Sequence, residues 1–173
     1  MVIVVMGVSG SGKSSLGQVL ARAVGADFQE GDDLHPPANI DKLHAGTPLD
    51  DTDRAPWLER IAIWIAGEQR LQRTGVVSCS ALRRCYREQL RRAAHDVRFV
   101  YLRASREELQ QRLNQRQHFM SAALLDSQLR TLEEPYDESD VLTVEGSHAI
   151  DRIVADVRHW LARPRRGVDP AAL

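Results

Sequence analysis

Val2-Ile3-Val4-Val5-Met6-Gly7-Val8-Ser9-Gly10-Ser11-Gly12-Lys13-Ser14 opens the chain and decides how the rest is read. Five apolar residues, three of them valine, form a short run that reads as a buried strand. Gly7 to Ser14 then fits G-x-x-x-x-G-K-[ST], the phosphate-cradling loop. Behind it Leu16, Val19, Leu20 and Ala23 recur at helical spacing. The order strand, glycine loop, helix is the context that motif requires. Glycines let backbone N–H groups turn inward around phosphate oxygens, and the helix N-terminus adds partial positive charge. The binding set is Gly7, Ser9, Gly10, Ser11, Gly12, Lys13, Ser14 and Ser15. Lys13 would reach the β- and γ-phosphates of a nucleoside triphosphate, and the Ser14 hydroxyl would ligate Mg²⁺.

Working outward, strand-like and helical segments alternate. Residues 26–30, 75–80, 97–102 and 141–144 read as four further strands. Leu82, Tyr86 and Leu90 mark one helix between them, and Ile150, Ile153, Val154, Val157 and Leu161 mark the last. Ser105 and Glu108 form a capping box at the start of another. Such alternation predicts an α/β fold, a five-stranded parallel sheet with helices on both faces. Ligands are then expected beyond the carboxyl ends of the strands. A length of 173 residues suits one domain, residues 1–163, followed by a mobile Pro- and Arg-rich tail, 164–173.

The segment 31–74 breaks the rhythm. A crossover needs only about a dozen residues, yet this one is longer and dense in Asp, His, Asn, Lys and Arg. A short helix starting at Pro36 or Pro37 and ending at Gly46 is expected. A longer one is expected from near Thr52–Pro56 to about Arg73. An insertion there, beside a phosphate loop, is where a phosphate acceptor would sit.

Composition narrows the field. A net charge of −1 implies no general attraction to polyanions, and no basic stripe with interleaved aromatics suggests nucleic acid. No stretch has the length of a membrane span, and the first residues read as core strand rather than a leader. Two cysteines and six scattered histidines give neither a disulfide framework nor a zinc site. Of the 23 basic residues only Lys13 and Lys42 are lysines, which draws attention to Lys42.

The insertion also carries a resemblance. Gly31-Asp32-Asp33-Leu34-His35-Pro36-Pro37-Ala38-Asn39-Ile40-Asp41-Lys42 and the run on to Leu58 resemble the signature of gluconate kinases. So do Cys79 to Arg87, Arg116 to Met120, Leu124 to Gln128 and Leu132 to Pro135. The match covers nearly everything from the phosphate loop to Pro135. The resemblance implies a P-loop kinase similar in fold to shikimate and nucleoside monophosphate kinases. It implies ATP and Mg²⁺ as cofactors, gluconate phosphorylated at its terminal hydroxyl, a helical acceptor-binding insertion, a lid over about 112–127, and a cytoplasmic, often dimeric enzyme with no nucleic-acid or membrane partner. A same-fold kinase for another small acceptor is the alternative, and a non-metabolic P-loop NTPase the third class.

The residues can be matched to that chemistry. Gluconate is a small polyhydroxylated anion, and an arginine fork suits its carboxylate. Arg54, Arg83 and Arg87 lie in the matching runs, Arg54 foremost, with a surface ion pair to Asp50, Asp51 or Asp53 as its other reading. Asp32 is placed to orient the acceptor hydroxyl and take its proton, or else to cap a turn. His35 bonds either a substrate hydroxyl or nearby backbone. Asn39 and Lys42, three apart, share a helix face toward the acceptor, with Lys42 also readable as solvated. Arg112 and Arg116 stand ready for charge on the transferring phosphoryl group, and Arg112 alternatively for adenine. Two departures stand out: Glu30-Gly31-Asp32 replaces the family's Asp-Gly-Asp, and Val77-Ser78-Cys79-Ser80 ends its strand without an acidic residue. Position 83 is also arginine where lysine is common.

Overall fold

The computed structural model describes residues 1–115 and 122–163. Its parallel sheet has five strands, β1 (Val2–Met6), β2 (Asp27–Glu30), β3 (Gly75–Cys79), β4 (Val97–Arg103) and β5 (Val141–Glu145), in the order β2-β3-β1-β4-β5. All five expected strands are present within one or two residues of the predicted bounds. β1 lies central and is wholly buried, Val4 facing Val77 on one side and Phe99 on the other.

Alternation along the strands divides the core in two. Val2, Val4 and Met6 face one layer, with Trp57, Leu58, Ile61 and Ile65 of α3 (Asp51–Arg70) and Tyr86 and Leu90 of α4 (Arg84–Arg91). Ile3 and Val5 face the other, against Leu16 and Leu20 of α1 (Lys13–Val24) and Ile153, Val154 and Val157 of α7 (Ile150–Leu161). A sheet covered on both faces explains the near-continuous apolar reading of β1. A third, small cluster joins Val8 and Leu82 to Leu109 of α5 (Arg106–Gln115) and Leu125 of α6 (Ala122–Thr131), seating these two helices against the phosphate loop. Ser105 and Glu108 cap α5 reciprocally, as expected.

The insertion folds as a single 3₁₀ turn at Gly31–Leu34, then α2 (Pro37–His44), then α3. α3 begins earlier than the sequence suggested. Asp50 accepts from the Asp53 amide at 2.8 Å while Asp53 accepts from the Asp50 amide at 3.1 Å, a capping box made of two aspartates. Pro56 then falls inside the helix, not at its start. The predicted tail, 164–173, and the middle of the predicted lid lie outside the described residues.

β1 leads out to edge strand β2, whereas β3 leads across to β4 on the opposite side. The crevice beyond the carboxyl ends of β1 and β3 is therefore a topological switch point. The glycine loop after β1, the 3₁₀ turn after β2 and Ser80 after β3 all open there.

Candidate active site

At Gly12 the chain adopts φ 105°, a left-handed setting that suits glycine, immediately before α1 begins at Lys13. This turn presents Gly10, Gly12, Lys13, Ser14 and Ser15 to one cavity of about 360 Å³. Lys13 Nζ donates to the Val8 carbonyl at 3.0 Å. Burial pushes its ammonium below the ordinary lysine range, and the Asp32 carboxylate opposes that shift. Lys13 and Asp32 thus share one cavity and act on each other electrostatically.

Another side of the same cavity is lined by Asp32, His35, Arg54 and Trp57. Asp32 is carried by the turn that follows β2, and that turn is tightly held. The Gly31 amide donates to Ser78 Oγ at 3.0 Å, and the Gly31 carbonyl accepts from Trp57 Nε1 at 2.7 Å. A side chain at Gly31 would collide with the Ser78 carbonyl oxygen, so glycine is required by close approach. His35 stacks flat on Trp57, ring centroids 4.3 Å apart at 14°.

Arg54 is buried, 7% exposed, and lines the cavity. The surface ion pair does not form. Asp51 pairs instead with Arg83 at 2.5 Å and Asp53 with Lys42 at 2.6 Å. Among the described residues no carboxylate pairs with Arg54. Its neighbour is the Tyr86 hydroxyl, which itself bonds Asp51. Burial and Asp51 together push the Tyr86 phenol up to about 12, so it remains a neutral donor.

Four residues expected at the acceptor are not among the side chains lining the cavity. Arg83 is spent on Asp51 at the protein surface. Arg87 is buried but turned away, donating to Glu138 at 2.5 Å and to the Ala81 and Leu82 carbonyls. It anchors the segment before β5 to the start of α4. Lys42 holds Asp53, and Asn39 bonds the Asp53 carbonyl and His35. Helical spacing put Asn39 and Lys42 on one face correctly, but that face meets α3 rather than the cavity. Glu30, a departure from the family pattern, accepts from Ser78 Oγ.

The third wall comes from α5 and α6. Arg112 donates to the Ser11 carbonyl at 2.8 Å and the Gly146 carbonyl at 2.6 Å, clamping the loop to the turn after β5. Gln128 of α6 accepts from the Ser9 amide at 2.7 Å and donates to Ser9 Oγ at 3.0 Å. Arg116 lies outside the described residues. A second cavity of about 170 Å³ runs from Gly12 and Ser15 past Arg112 to His148, Ile150 and Ile153. Sequence reasoning did not single out Trp57, Tyr86, Gln128 or His148. Trp57 and Tyr86 sit at core-like helical spacing, and nothing in that pattern separates Trp57, which lines the cavity, from a residue that is core alone.

A glycine loop with its lysine, set at the carboxyl ends of a five-stranded parallel sheet and sharing one cavity with Asp32 and Arg54, marks a P-loop kinase. The AAA domain family model matches residues 2–135. The chain is 47% identical over 162 residues to a gluconokinase from Gluconobacter oxydans, covering 92% of this chain and 91% of that protein. It superposes on the crystal structure of a gluconokinase from Sinorhizobium meliloti with TM-score 0.81 and 43% identity, covering 93% and 97% of the two chains. An unliganded sugar kinase from Janibacter gives TM-score 0.87 at 37% identity, covering 92% and 93%. The chain belongs to the gluconokinase family, kinases with an alcohol group as acceptor.

Proposed function

We propose that this protein transfers the γ-phosphoryl group of ATP to the terminal hydroxyl of D-gluconate, giving 6-phospho-D-gluconate and ADP. Family membership supports the substrate. The observation that carries the site assignment is Arg54, a buried guanidinium with no carboxylate partner among the described residues, opening on the cavity that also holds Lys13 and Asp32. Burying a charge is costly unless something pairs with it. A carboxylate on the acceptor supplies that pair, and its far end then lies toward Asp32 and the phosphate loop.

In this reading the loop amides and Lys13 hold the triphosphate, and adenine occupies the second cavity beside His148 and Ile153. Asp32 orients the terminal hydroxyl and accepts its proton as the oxygen attacks phosphorus. His35 bonds a hydroxyl along the acceptor. Residues 31–74 form the acceptor-binding region of a single domain, with 112–127 as the lid whose closure excludes water. Arg112 and Arg116 are assigned to meet charge on the transferring phosphoryl group.

The residues present fit Mg²⁺. Ser14 and Asp32 are hard oxygen donors on one cavity, and among the described residues no cluster of three His, Cys, Asp or Glu would hold a metal alone. A cation that keeps most of its waters and leans on substrate phosphates suits such a site. Ser14 would hold it directly, with Asp32 or Glu30 reached only through water. When bound, it neutralises charge on the β- and γ-oxygens. Among the described residues no helix is long and apolar enough to cross a membrane. We take the protein to be a cytoplasmic homodimer, as the family resemblance implies.

The test is ADP release measured against gluconate, other sugar acids, shikimate and nucleoside monophosphates. Gluconate-dependent release with the other acceptors far slower is expected. Release with shikimate or a nucleotide but not with gluconate refutes the proposal.

A further inference from the structure

Asn39 is 3% exposed and sits between α3 and His35. Its Nδ2 donates to the Asp53 carbonyl at 2.8 Å and lies 3.2 Å from His35 Nδ1. A backbone carbonyl only accepts, so Asp53 fixes which end of the Asn39 amide is the NH₂. The same NH₂ faces Nδ1, which must therefore be the bare, accepting nitrogen. In a neutral imidazole the proton then resides on Nε2. The ring has little freedom to turn, being stacked on Trp57, itself tied to the Gly31 carbonyl.

We propose that Asn39 is a positioning residue that locks His35 as the Nε2–H tautomer, so that the ring presents one fixed donor to a hydroxyl oxygen of the acceptor. The identity of that acceptor rests on the function proposed above; the tautomer does not. The sugar-acid site gains a directional element from it. An oxygen able to accept is recognised at that point, and a group offering only a donor is refused. A second proton on His35 would set Nδ1–H against the Asn39 NH₂. Burial likewise lowers the ring's pKa; Asp32, on the preceding turn, opposes this, and Arg54, from α3, adds to it. His35 therefore stays neutral near pH 7.

Nitrogen-15 NMR of the unliganded full-length protein reads the tautomer directly, with the His35 signals identified by their loss in His35→Gln. A pyridine-like Nδ1 and a protonated Nε2 are expected at pH 7.5. A protonated Nδ1, or an averaged mixture, overturns the proposal. Asn39→Asp places an acceptor opposite Nδ1 and is expected to move the proton there and raise the ring's pKa; an unchanged spectrum in a folded Asn39→Asp protein also overturns it. His35→Phe keeps the stack and removes the donor, whereas His35→Gln keeps a donor. The first should raise the KM for gluconate about tenfold, the scale of one lost hydrogen bond, with the KM for ATP within about twofold, and the second should recover most of that loss. Equal behaviour of the two variants leaves the ring a purely structural role and refutes the donor. If the wild-type protein shows the Nε2–H tautomer yet no gluconate-dependent ADP release, the function proposed above fails and the tautomer lock stands.

Discussion

Gly31→Ala is the substitution on which the geometry bears most directly. A Cβ built there would lie 1.9 Å from the Ser78 carbonyl oxygen and 3.1 Å from its carbon, where ordinary contact begins at 3.4 Å. About 1.5 Å must be absorbed, and the obstacle is backbone of β3, so trimming the Ser78 side chain does not help. The turn cannot yield freely either. Its amide is tied to Ser78 Oγ at 3.0 Å and its carbonyl to Trp57 Nε1 at 2.7 Å. The next residue is Asp32. Displacing a reacting group by about 1 Å costs on the order of a hundredfold in turnover. Overpacking costs about 1–3 kcal/mol, which at about 2–4 °C per kcal/mol for this size lowers Tm by roughly 2–12 °C. The assays are kcat at saturating ATP and gluconate from coupled ADP release, and a thermal melt. Gly67→Ala is the control. Its Cβ meets nothing within 4 Å inside α3, so it should be neutral or gain about 0.5–1 kcal/mol. A Gly31→Ala enzyme with wild-type kcat and Tm would refute the claim that this close approach sets the position of Asp32.

Asp32→Asn should retain gluconate binding and lose about a hundredfold or more in kcat; turnover within about twofold of wild type places the base elsewhere. Arg54→Ala should raise the KM for gluconate far more than that for ATP, and equal rises would count against a carboxylate contact. Arg87→Met removes one partner of a buried pair and should destabilise by about 3–5 kcal/mol, while KM values of the folded enzyme hold within about twofold because Arg87 does not line the cavity. Burial alone would raise the Glu138 carboxyl, but Arg87 and Arg91 more than reverse this and hold its pKa below the ordinary value. A depressed folded pKa stabilises above the unfolded value of about 4.3 and the gain is lost as pH falls through the folded one. Urea midpoints should therefore drop below about pH 4, and Glu138→Gln should flatten part of that decline; an identical pH profile in the variant rejects the assignment.

Particular elements show what could be read in advance. Four of the strands, β1, β3, β4 and β5, follow from runs rich in apolar and β-branched residues, whereas edge strand β2, Asp27-Phe28-Gln29-Glu30, carries only a weak signal, and Ser105 and Glu108 announce α5 within three residues of each other. Both are local signals, governed by groups close along the chain. α3 starts at Asp51, one residue ahead of the expected Thr52–Pro56, because its capping box uses an aspartate at N3, Asp53, where the sequence rule looks for Glu or Gln. The arginines were a harder case. Arg54, Arg83 and Arg87 share charge, shape and motif context, and no local pattern ranks them. Their fates depend on Asp51, Tyr86 and Glu138, of which Asp51 and Glu138 lie 32 and 51 residues from the arginines they bind.

By itself the amino-acid sequence determined the phosphate loop and the parallel sheet around it, because each is encoded in short-range patterns of glycine and hydrophobic period; the kinase family was legible through the resemblance carried by Gly31 to Leu58 and the later matching runs. Only the tertiary structure decided which polar side chains face the cavity. Among the described residues Arg54 is left without a carboxylate while Asp51 and Asp53 are taken by Arg83 and Lys42, and Asn39 meets the Asp53 carbonyl and His35 rather than the cavity. That sorting is set by which hydrogen-bonding groups the packing of α2, α3 and α4 brings together, and a buried polar group takes the partner it is packed against.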